Sequence, residues 1–184
     1  MILASASPRR KEILGEIVKK FEIIPAKGEE NANGAVTPEE VVKALAEQKA
    51  REVASLPCAK GKTVLGADTV VALDGEILGK PKDEADAYRM LSALSGRTHE
   101  VYTGVCVVSP TGEVRTEADC TKVRFCALTD EAIRAYIRTG SPMDKAGAYG
   151  IQDGGLVESI DGSFTNVVGL PKELCIKMMG AGTR

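Results

Sequence analysis

The sequence contains few of the side chains that bind transition metals: it has one histidine, His99, and five cysteines that form no CxxC pair. A single histidine excludes a histidine-rich metal site, and the odd number of scattered cysteines indicates neither a disulfide framework nor a zinc site. The sequence indicates no partner for His99, so we interpret it as a packing residue.

No apolar run approaches the ~18 residues of a membrane helix, and the short apolar start followed by cations is not typical of a signal peptide. We expect a reducing, cytoplasmic location and no membrane partner.

The sequence also lacks an excess of positive charge. Its 24 lysines and arginines are balanced by 26 aspartates and glutamates, for a formal net charge of −2, so nucleic acid is not an expected partner. Of the 184 residues, 43% are hydrophobic and 27% are charged, which is ordinary for a globular protein. We predict one domain that spans residues 1–184. A basic cluster in such a chain is local and favours a small anionic ligand.

The first dozen residues combine a short strand with a cation-rich helix start. Residues 2–4 are apolar, Ser7 is a good helix N-cap and Pro8 suits the first helical position. Arg9 and Arg10 then crowd the positive end of the helix dipole, at a cost of roughly 0.3–1 kcal/mol each. Free N–H groups and guanidinium forks at one helix start predict a phosphate site, with solvated basic residues as the alternative. If phosphate explains this arrangement, removing Arg10 should not destabilise the unliganded fold.

Asp68 interrupts an apolar, β-branched run, residues 63–73, which predicts a central strand. A buried carboxylate without a partner is costly, so Asp68 must meet a cation, a metal or hydrogen-bond donors. Both a functional acid and a structural aspartate are consistent with this position. The small residues Gly66 and Ala67 before it suggest room for a ligand to approach.

Other charged side chains could join Asp68. A strong capping signal at Thr37 predicts a helix over residues 38–54, and Lys49 lies on its apolar face. Its ammonium group either snorkels to water or reaches into a cleft. Glu30, on the preceding loop, could hold Mg²⁺ or Mn²⁺ together with Asp68, because these metals prefer oxygen ligands. Lys80, which precedes a proline, could meet a phosphate as a point charge.

Helix and strand patterns alternate along the remaining chain. Two long strands are predicted at residues 100–108 and 113–128, and a closing helix is predicted near residues 172–179. Residues 141–171 are rich in glycine and have few helix signals, which indicates a functional loop that contains Gln152. The alternation predicts an α/β fold with a mixed sheet.

Six motifs recur in order through nearly the whole chain, and together they are specific. They are Leu3-Ala-Ser-Ala-Ser-Pro-Arg-Arg10, Leu65-Gly-Ala-Asp-Thr-Val-Val71, Gly79-Lys-Pro81, Leu94-Ser-Gly-Arg-Thr-His-Glu-Val101, Asp144-Lys-Ala-Gly-Ala-Tyr-Gly-Ile-Gln152 and Asn166-Val-Val-Gly-Leu-Pro171. With these motifs the sequence resembles the Maf family of nucleoside triphosphate pyrophosphatases. The Ala-Tyr-Gly-Ile-Gln form is similar to the subgroup that acts on dTTP and UTP, and it fits the subgroups acting on 7-methyl-GTP or CTP less well.

The resemblance implies an α/β fold with a mixed, twisted sheet, flanking helices and two lobes around a deep cleft, as in Maf and inosine triphosphate pyrophosphatase-like proteins. It implies hydrolysis of dTTP and UTP between the α and β phosphates, with modified pyrimidine nucleotides as further candidate substrates. The products would be the monophosphate and pyrophosphate, and the cofactor a divalent cation, Mg²⁺ or Mn²⁺. The likeness also implies a homodimer; the sequence alone indicates no dimer surface.

The resemblance assigns roles to individual positions as well. The catalytic aspartate falls on Asp68, and Glu30 joins it as a candidate metal ligand. Substrate-binding and specificity positions fall on Ser5, Arg9, Arg10, Lys49, Thr69, Lys80 and Gln152. In this hypothesis cations from separate elements neutralise the phosphates while Asp68 accepts the proton of the attacking water. A hypothesis from another class stays open: a non-catalytic nucleotide-binding regulator of cell division or septum formation, which would release no pyrophosphate.

Overall fold

The computed structural model describes residues 1–32 and 34–180. Its strands are β1 (Ile2–Leu3), β2 (Glu22–Ile23), β3 (Val64–Leu73), β4 (Glu76–Leu78), β5 (Thr98–Val108), β6 (Val114–Phe125) and β7 (Val157–Asp161). Its helices are α1 (Pro8–Ile17), α2 (Pro38–Ala54), α3 (Glu84–Leu94), α4 (Asp130–Arg138), α5 (Phe164–Val168) and α6 (Lys172–Met179). Short 3-10 turns cover Pro57–Ala59, Ser141–Asp144, Ala146–Ala148 and Ile151–Asp153. The predicted domain, 1–184, also includes Asn33 and residues 181–184, which lie outside the described residues.

The strands form one mixed sheet in the order β2-β1-β3-β5-β6-β7, with β4 paired to β3 outside this path. Strand β1 runs parallel to both β2 and β3. Strand β4 is antiparallel to β3, and β7 is antiparallel to β6. The predicted α/β class with a mixed sheet is therefore confirmed.

The chain divides into two compact units. Unit 1 comprises Met1–Thr69, Thr103–Asp119 and Gly169–Arg184, and unit 2 comprises Val70–Tyr102 and Cys120–Val168. Unit 1 contains a core in which β1, β3 and β5 pack against small residues of α2. Unit 2 contains a core built from α3, α4, the ends of four strands and the glycine-rich segment. Each core buries apolar side chains, the main favourable term in folding.

Local capping chemistry explains where the first two long helices begin. Ser7 Oγ accepts the Arg10 N–H at 3.4 Å, and Pro8 is the first residue of α1. Thr37 and Glu40 form a reciprocal capping box at the start of α2. Both caps satisfy N–H groups that have no partner within the helix. Both predicted helix starts are confirmed.

The glycine-rich segment is more regular than the sequence predicted. The predicted loop over residues 141–171 contains strand β7 and helix α5. Strand β7 is largely exposed and pairs with β6 alone, so it carries no apolar alternation that would have indicated a strand. Helix α5 has only five residues, which is too short for a 3.6-residue period to be recognised.

His99 lies in an aromatic cluster of unit 2. It is 2% exposed, and its Nε2 lies 2.7 Å from the Tyr149 hydroxyl. The imidazole meets the rings of Phe125 and Tyr149 edge to face, with centroids 5.0 and 5.3 Å away. Burial lowers the pKa of His99 from 6.5 to about 4, because an imidazolium in this core would lose its hydration. The packing interpretation of His99 is therefore confirmed.

His99 should make the protein less stable in acid. Between about pH 6.5 and 4 the unfolded chain binds a proton at His99 and the folded chain does not, so stability is lost as the pH falls through this window. We expect the wild type to lose about 2–3 kcal/mol more unfolding free energy than His99→Gln between pH 7 and roughly pH 4.5. Urea unfolding of both proteins at the two pH values measures this difference. Equal losses in both would contradict a neutral, buried His99.

Candidate active site

A buried carboxylate on β3 meets a lysine from α2 and a glutamate from the loop before it. Asp68 is 7% exposed, and its Oδ1 lies 2.5 Å from Lys49 Nζ. The same ammonium lies 2.8 Å from Glu30 Oε1. The structure thus brings three of the predicted site residues together within unit 1. Lys49 was predicted either to extend its ammonium group to water or to reach into a cleft. The contacts contradict the first interpretation, because the ammonium group meets the buried Asp68 carboxylate.

Two glycines allow helix α2 to come this close to the sheet. A Cβ at Gly66, on β3, would lie 2.5 Å from the Ala46 carbonyl oxygen, and one at Gly104, on β5, would lie 2.2 Å from the Val42 carbonyl oxygen. Real Cβ atoms do not approach backbone oxygens so closely, so both positions require glycine. The space beside Gly66 is therefore filled by α2. The prediction that the small residues before Asp68 leave room for a ligand is wrong on this side of β3.

The electrostatics of Asp68 balance burial against two cations. Burial raises the pKa of Asp68, because the charged carboxylate loses its hydration. Lys49 opposes this shift by direct contact, and Arg10 opposes it at longer range, while the negative charge of Glu30 adds to it. A carboxylate whose pKa lies above its ordinary value can accept and release a proton more readily near neutral pH.

Arg10 is held by the protein itself. Its Nε donates to the Gly169 carbonyl at 2.8 Å, and its terminal nitrogens donate to Ser5 Oγ at 3.3 Å and to Thr69 Oγ1 at 3.1 Å. Burial lowers the pKa of Arg10, the effect of Asp68 raises it and that of nearby Arg9 lowers it, yet an arginine stays protonated. The structure does not support the expectation that Arg10 is dispensable for the unliganded fold, since its removal would break three hydrogen bonds.

Ser5 and Thr69 belong to the same network. Ser5 Oγ also accepts the Ser7 N–H at 3.2 Å, so this hydroxyl links the end of β1 to the start of α1. Thr69 Oγ1 lies 2.9 Å from Thr103 Oγ1. Four predicted positions, Ser5, Arg10, Thr69 and Asp68, are thereby gathered around the start of α1 and the middle of β3. Arg9 is half-buried in the first turn of α1.

The other two predicted residues lie in unit 2. Lys80 is exposed, directly after Gly79, whose carbonyl accepts the Gly147 N–H at 3.1 Å. Gln152 is exposed in the 3-10 turn Ile151–Asp153. Its turn is held by the Tyr136 hydroxyl, which accepts the Gly150 N–H at 3.1 Å. The phosphate contact predicted for Lys80 and the specificity role predicted for Gln152 stay predictions.

Comparison with known proteins shows which family this chain belongs to. The family model described as Maf-like protein matches residues 1–181. The chain belongs to the Maf family. It is similar to the dTTP/UTP pyrophosphatase of Thermococcus gammatolerans, with 53% identity over 99% of this chain and 96% of that protein. It is also similar to the dTTP/UTP pyrophosphatase of Clostridium perfringens, with 51% identity over 93% of this chain and 91% of that protein.

One solved structure shows the same fold. The HAM1 protein from Coxiella burnetii matches with a TM-score of 0.50 and 16% identity, over 83% of this chain and 87% of that chain. At this identity the likeness concerns the fold alone.

The carboxylates of this Maf chain can supply only part of a metal site. Across residues 1–32 and 34–180, no group of three or more histidine, cysteine, aspartate or glutamate side chains could hold a metal ion. Glu30 and Asp68 give two carboxylates, and each meets Lys49 through one oxygen. Mg²⁺ sites in nucleotide enzymes commonly use one or two carboxylates and take their other ligands from phosphate and water. This donor set therefore fits a metal that arrives with a triphosphate.

The described part of the chain contains no helix long and apolar enough to cross a membrane.

Sequence reasoning missed three residues that hold this Maf site together. Thr103 and the Gly169 carbonyl complete the Arg10–Thr69 network, and Gly104 sets the approach of α2. Gly169 was quoted within a motif, but nothing local shows that its carbonyl accepts from Arg10. Thr103 and Gly104 lie within a strand pattern that carries no chemical signal of its own.

Proposed function

We propose that this Maf protein hydrolyses dTTP and UTP to the monophosphate and pyrophosphate. The observation that carries the chemistry is the buried Asp68 carboxylate, in contact with Lys49 and near the Arg10 network. The substrate class is supported by relatives at 50–53% identity that are named dTTP/UTP pyrophosphatase. Enzymes of this kind release pyrophosphate by attack of water on the α-phosphorus.

In this proposal, each residue of the site has a separate task. Asp68, the buried carboxylate of the site, accepts the proton of the attacking water as a general base. Lys49 holds Asp68 in place and supplies positive charge beside it. Arg9 and Arg10 meet the phosphates at the start of α1, where the helix dipole also favours an anion. Ser5 and Thr69 fix the Arg10 guanidinium, so its orientation is set before substrate binds. Lys80 adds a point charge for phosphate.

A divalent cation belongs to the same proposal. Glu30 and Asp68 would hold Mg²⁺ or Mn²⁺ together with phosphate oxygens, and the cation would neutralise charge on the triphosphate. Phosphoryl chemistry depends chiefly on positioning and electrostatic stabilisation, and the described cations and carboxylates provide both.

Product analysis tests the proposal. The protein is incubated with dTTP and either Mg²⁺ or Mn²⁺, and the products are separated by ion-exchange chromatography. We expect dTMP and pyrophosphate in equal amounts. Orthophosphate with dTDP would instead indicate cleavage of the terminal phosphate. Binding of dTTP without any product would favour the nucleotide-binding regulator.

Gln152 should set the preference for the base. Its amide can both donate and accept, as the edge of a pyrimidine requires. We expect Gln152→Ala to lower kcat/KM for dTTP and UTP selectively, by about 1–3 kcal/mol in transition-state binding, because the polar base edge loses its partner. Turnover of dTTP, UTP, CTP and GTP is compared with that of Glu158→Ala, an exposed substitution on β7. An equal loss for all four bases would contradict this role.

A further inference from the structure

The loop that carries Glu30 is fastened to helix α2 by one side chain on both sides of that residue. Gln48 Nε2 donates to the Glu29 carbonyl at 2.6 Å. Gln48 Oε1 accepts the Asn31 N–H at 2.9 Å. A primary amide has a donor and an acceptor side by side, so it can pair with an extended backbone as a neighbouring strand would. The two bonds bracket Glu30 in the sequence.

A second side chain of α2 fastens the start of the same loop. Glu52 Oε1 accepts the Lys27 N–H at 2.7 Å, and both Glu52 oxygens accept the Gly28 N–H, at 3.2 and 3.1 Å. A Cβ at Gly28 would lie 2.8 Å from Glu52 Oε2, so the carboxylate uses the space that glycine leaves. Gln48 and Glu52 are four residues apart, which places them on one face of the helix.

These backbone bonds are needed because Glu30 has little burial to hold it. Glu30 is exposed, with 59% of its side chain accessible, while its partner Lys49 is 17% accessible. An ion pair with one exposed partner contributes little order by itself, since water competes for the exposed charge. The backbone of residues 27–31 must therefore be fixed by other contacts, and Gln48 supplies the two that flank Glu30.

We propose that Gln48 is a positioning residue of the pyrophosphatase reaction: it clamps the backbone around Glu30 and so presents the Glu30 carboxylate at the Lys49–Asp68 pair. The inference rests on the proposed function, in which Glu30 helps to hold the divalent cation. Gln48 acts through Glu30 and has no task at the phosphates.

Gln48→Met tests the clamp, because methionine keeps the length of the side chain and removes both hydrogen bonds. We expect hydrogen exchange at the Asn31 amide to accelerate by about tenfold, since the loop opens more often. Mn²⁺ titrated with α,β-methylene-dTTP, which the enzyme cannot cleave, should bind about tenfold more weakly, at the lower end of the effect of losing a residue that orients a metal ligand. Lys43→Met, on the same helix and paired with Glu39, is the control and should change neither quantity.

A double-mutant cycle separates positioning from a general structural effect. Alone, Gln48→Met should lower kcat for dTTP about five- to tenfold while KM stays within about twofold. In the Glu30→Gln background the same substitution should cost less than about twofold, because the residue it positions has already lost its charge. A merely structural role would lower kcat equally in both backgrounds.

The outcomes distinguish this inference from the proposed function. If Glu30→Gln leaves kcat and Mn²⁺ binding unchanged, the metal role of Glu30 fails, and the inference fails with it. If Glu30→Gln lowers both but Gln48→Met lowers neither, only the inference is overturned. An unchanged exchange rate at the Asn31 amide would overturn the clamp regardless of any activity.

Discussion

Asp68→Asn should abolish most pyrophosphate release and leave the fold intact. Asparagine has nearly the same shape as aspartate, but it carries no charge and cannot take up the proton of the attacking water. We expect a fall of about 10²–10⁴-fold in the rate, the usual contribution of a positioned general base. Single-turnover hydrolysis of dTTP at saturating Mg²⁺ measures this step, and a titration with α,β-methylene-dTTP measures binding on the same variant.

The stability of this variant is a separate expectation. Burial raises the pKa of Asp68, so the folded protein bears a cost for the ionised carboxylate that asparagine removes. Lys49 keeps its contact with Glu30 in the variant, so the melting temperature should not fall. Asp74→Asn is the matched control, because Asp74 is exposed in the turn after β3, where its φ of 52° also suits asparagine. It should turn over dTTP within about twofold of the wild type.

An Asp68→Asn protein that binds the analogue and still turns over within a few-fold of the wild type would show that Asp68 is not the base. Glu30 would then be the leading candidate, because it is the other carboxylate in contact with Lys49. Loss of analogue binding together with activity would instead indicate that Asp68 acts mainly by holding substrate and cation.

The parts of the fold that were predictable are those determined by neighbours in the sequence. Ser7 and Pro8 start α1, and Thr37 and Glu40 start α2, because a cap satisfies N–H groups only three residues away. The apolar run around Asp68 likewise predicted β3, whose residues are buried on both faces. Strand β7 escaped prediction because its pairing with β6 depends on contacts between distant parts of the chain.

The site was predictable in its residue types and less so in its contacts. The cost of burying Asp68 required a cation, a metal or hydrogen-bond donors. The sequence could not show that Lys49 supplies the cation, since its ammonium group could also have snorkelled to water. Arg10 was assigned to phosphate from its place at a helix start and from the family resemblance. Its hydrogen bond to the carbonyl of Gly169, a residue 159 positions away, shows that it is also a structural link. Such bonds depend on tertiary packing, which no local pattern records.

The largest loss of stability should come from a single methyl group at the interface between α2 and the sheet. A Cβ at Gly104 would lie 2.2 Å from the carbonyl oxygen and 2.4 Å from the carbonyl carbon of Val42. Backbone atoms of a helix cannot rotate away as a side chain can, so Gly104→Ala must push α2 from β5. We expect a loss of about 3 kcal/mol or more in unfolding free energy, at the upper end of overpacking. Urea unfolding followed by circular dichroism measures it.

The same displacement should reach the active site, because α2 carries Lys49 to Asp68. Gly104→Ala should therefore also lower kcat under conditions where the protein stays folded. Gly15→Ala is the matched control: Gly15 lies within α1, and a Cβ there meets nothing within 4 Å. Alanine inside a helix is favoured over glycine by roughly 0.5–1 kcal/mol, so this variant should be slightly more stable. If Gly104→Ala were as harmless as Gly15→Ala, close packing of α2 on the sheet could not be what places Lys49 beside Asp68.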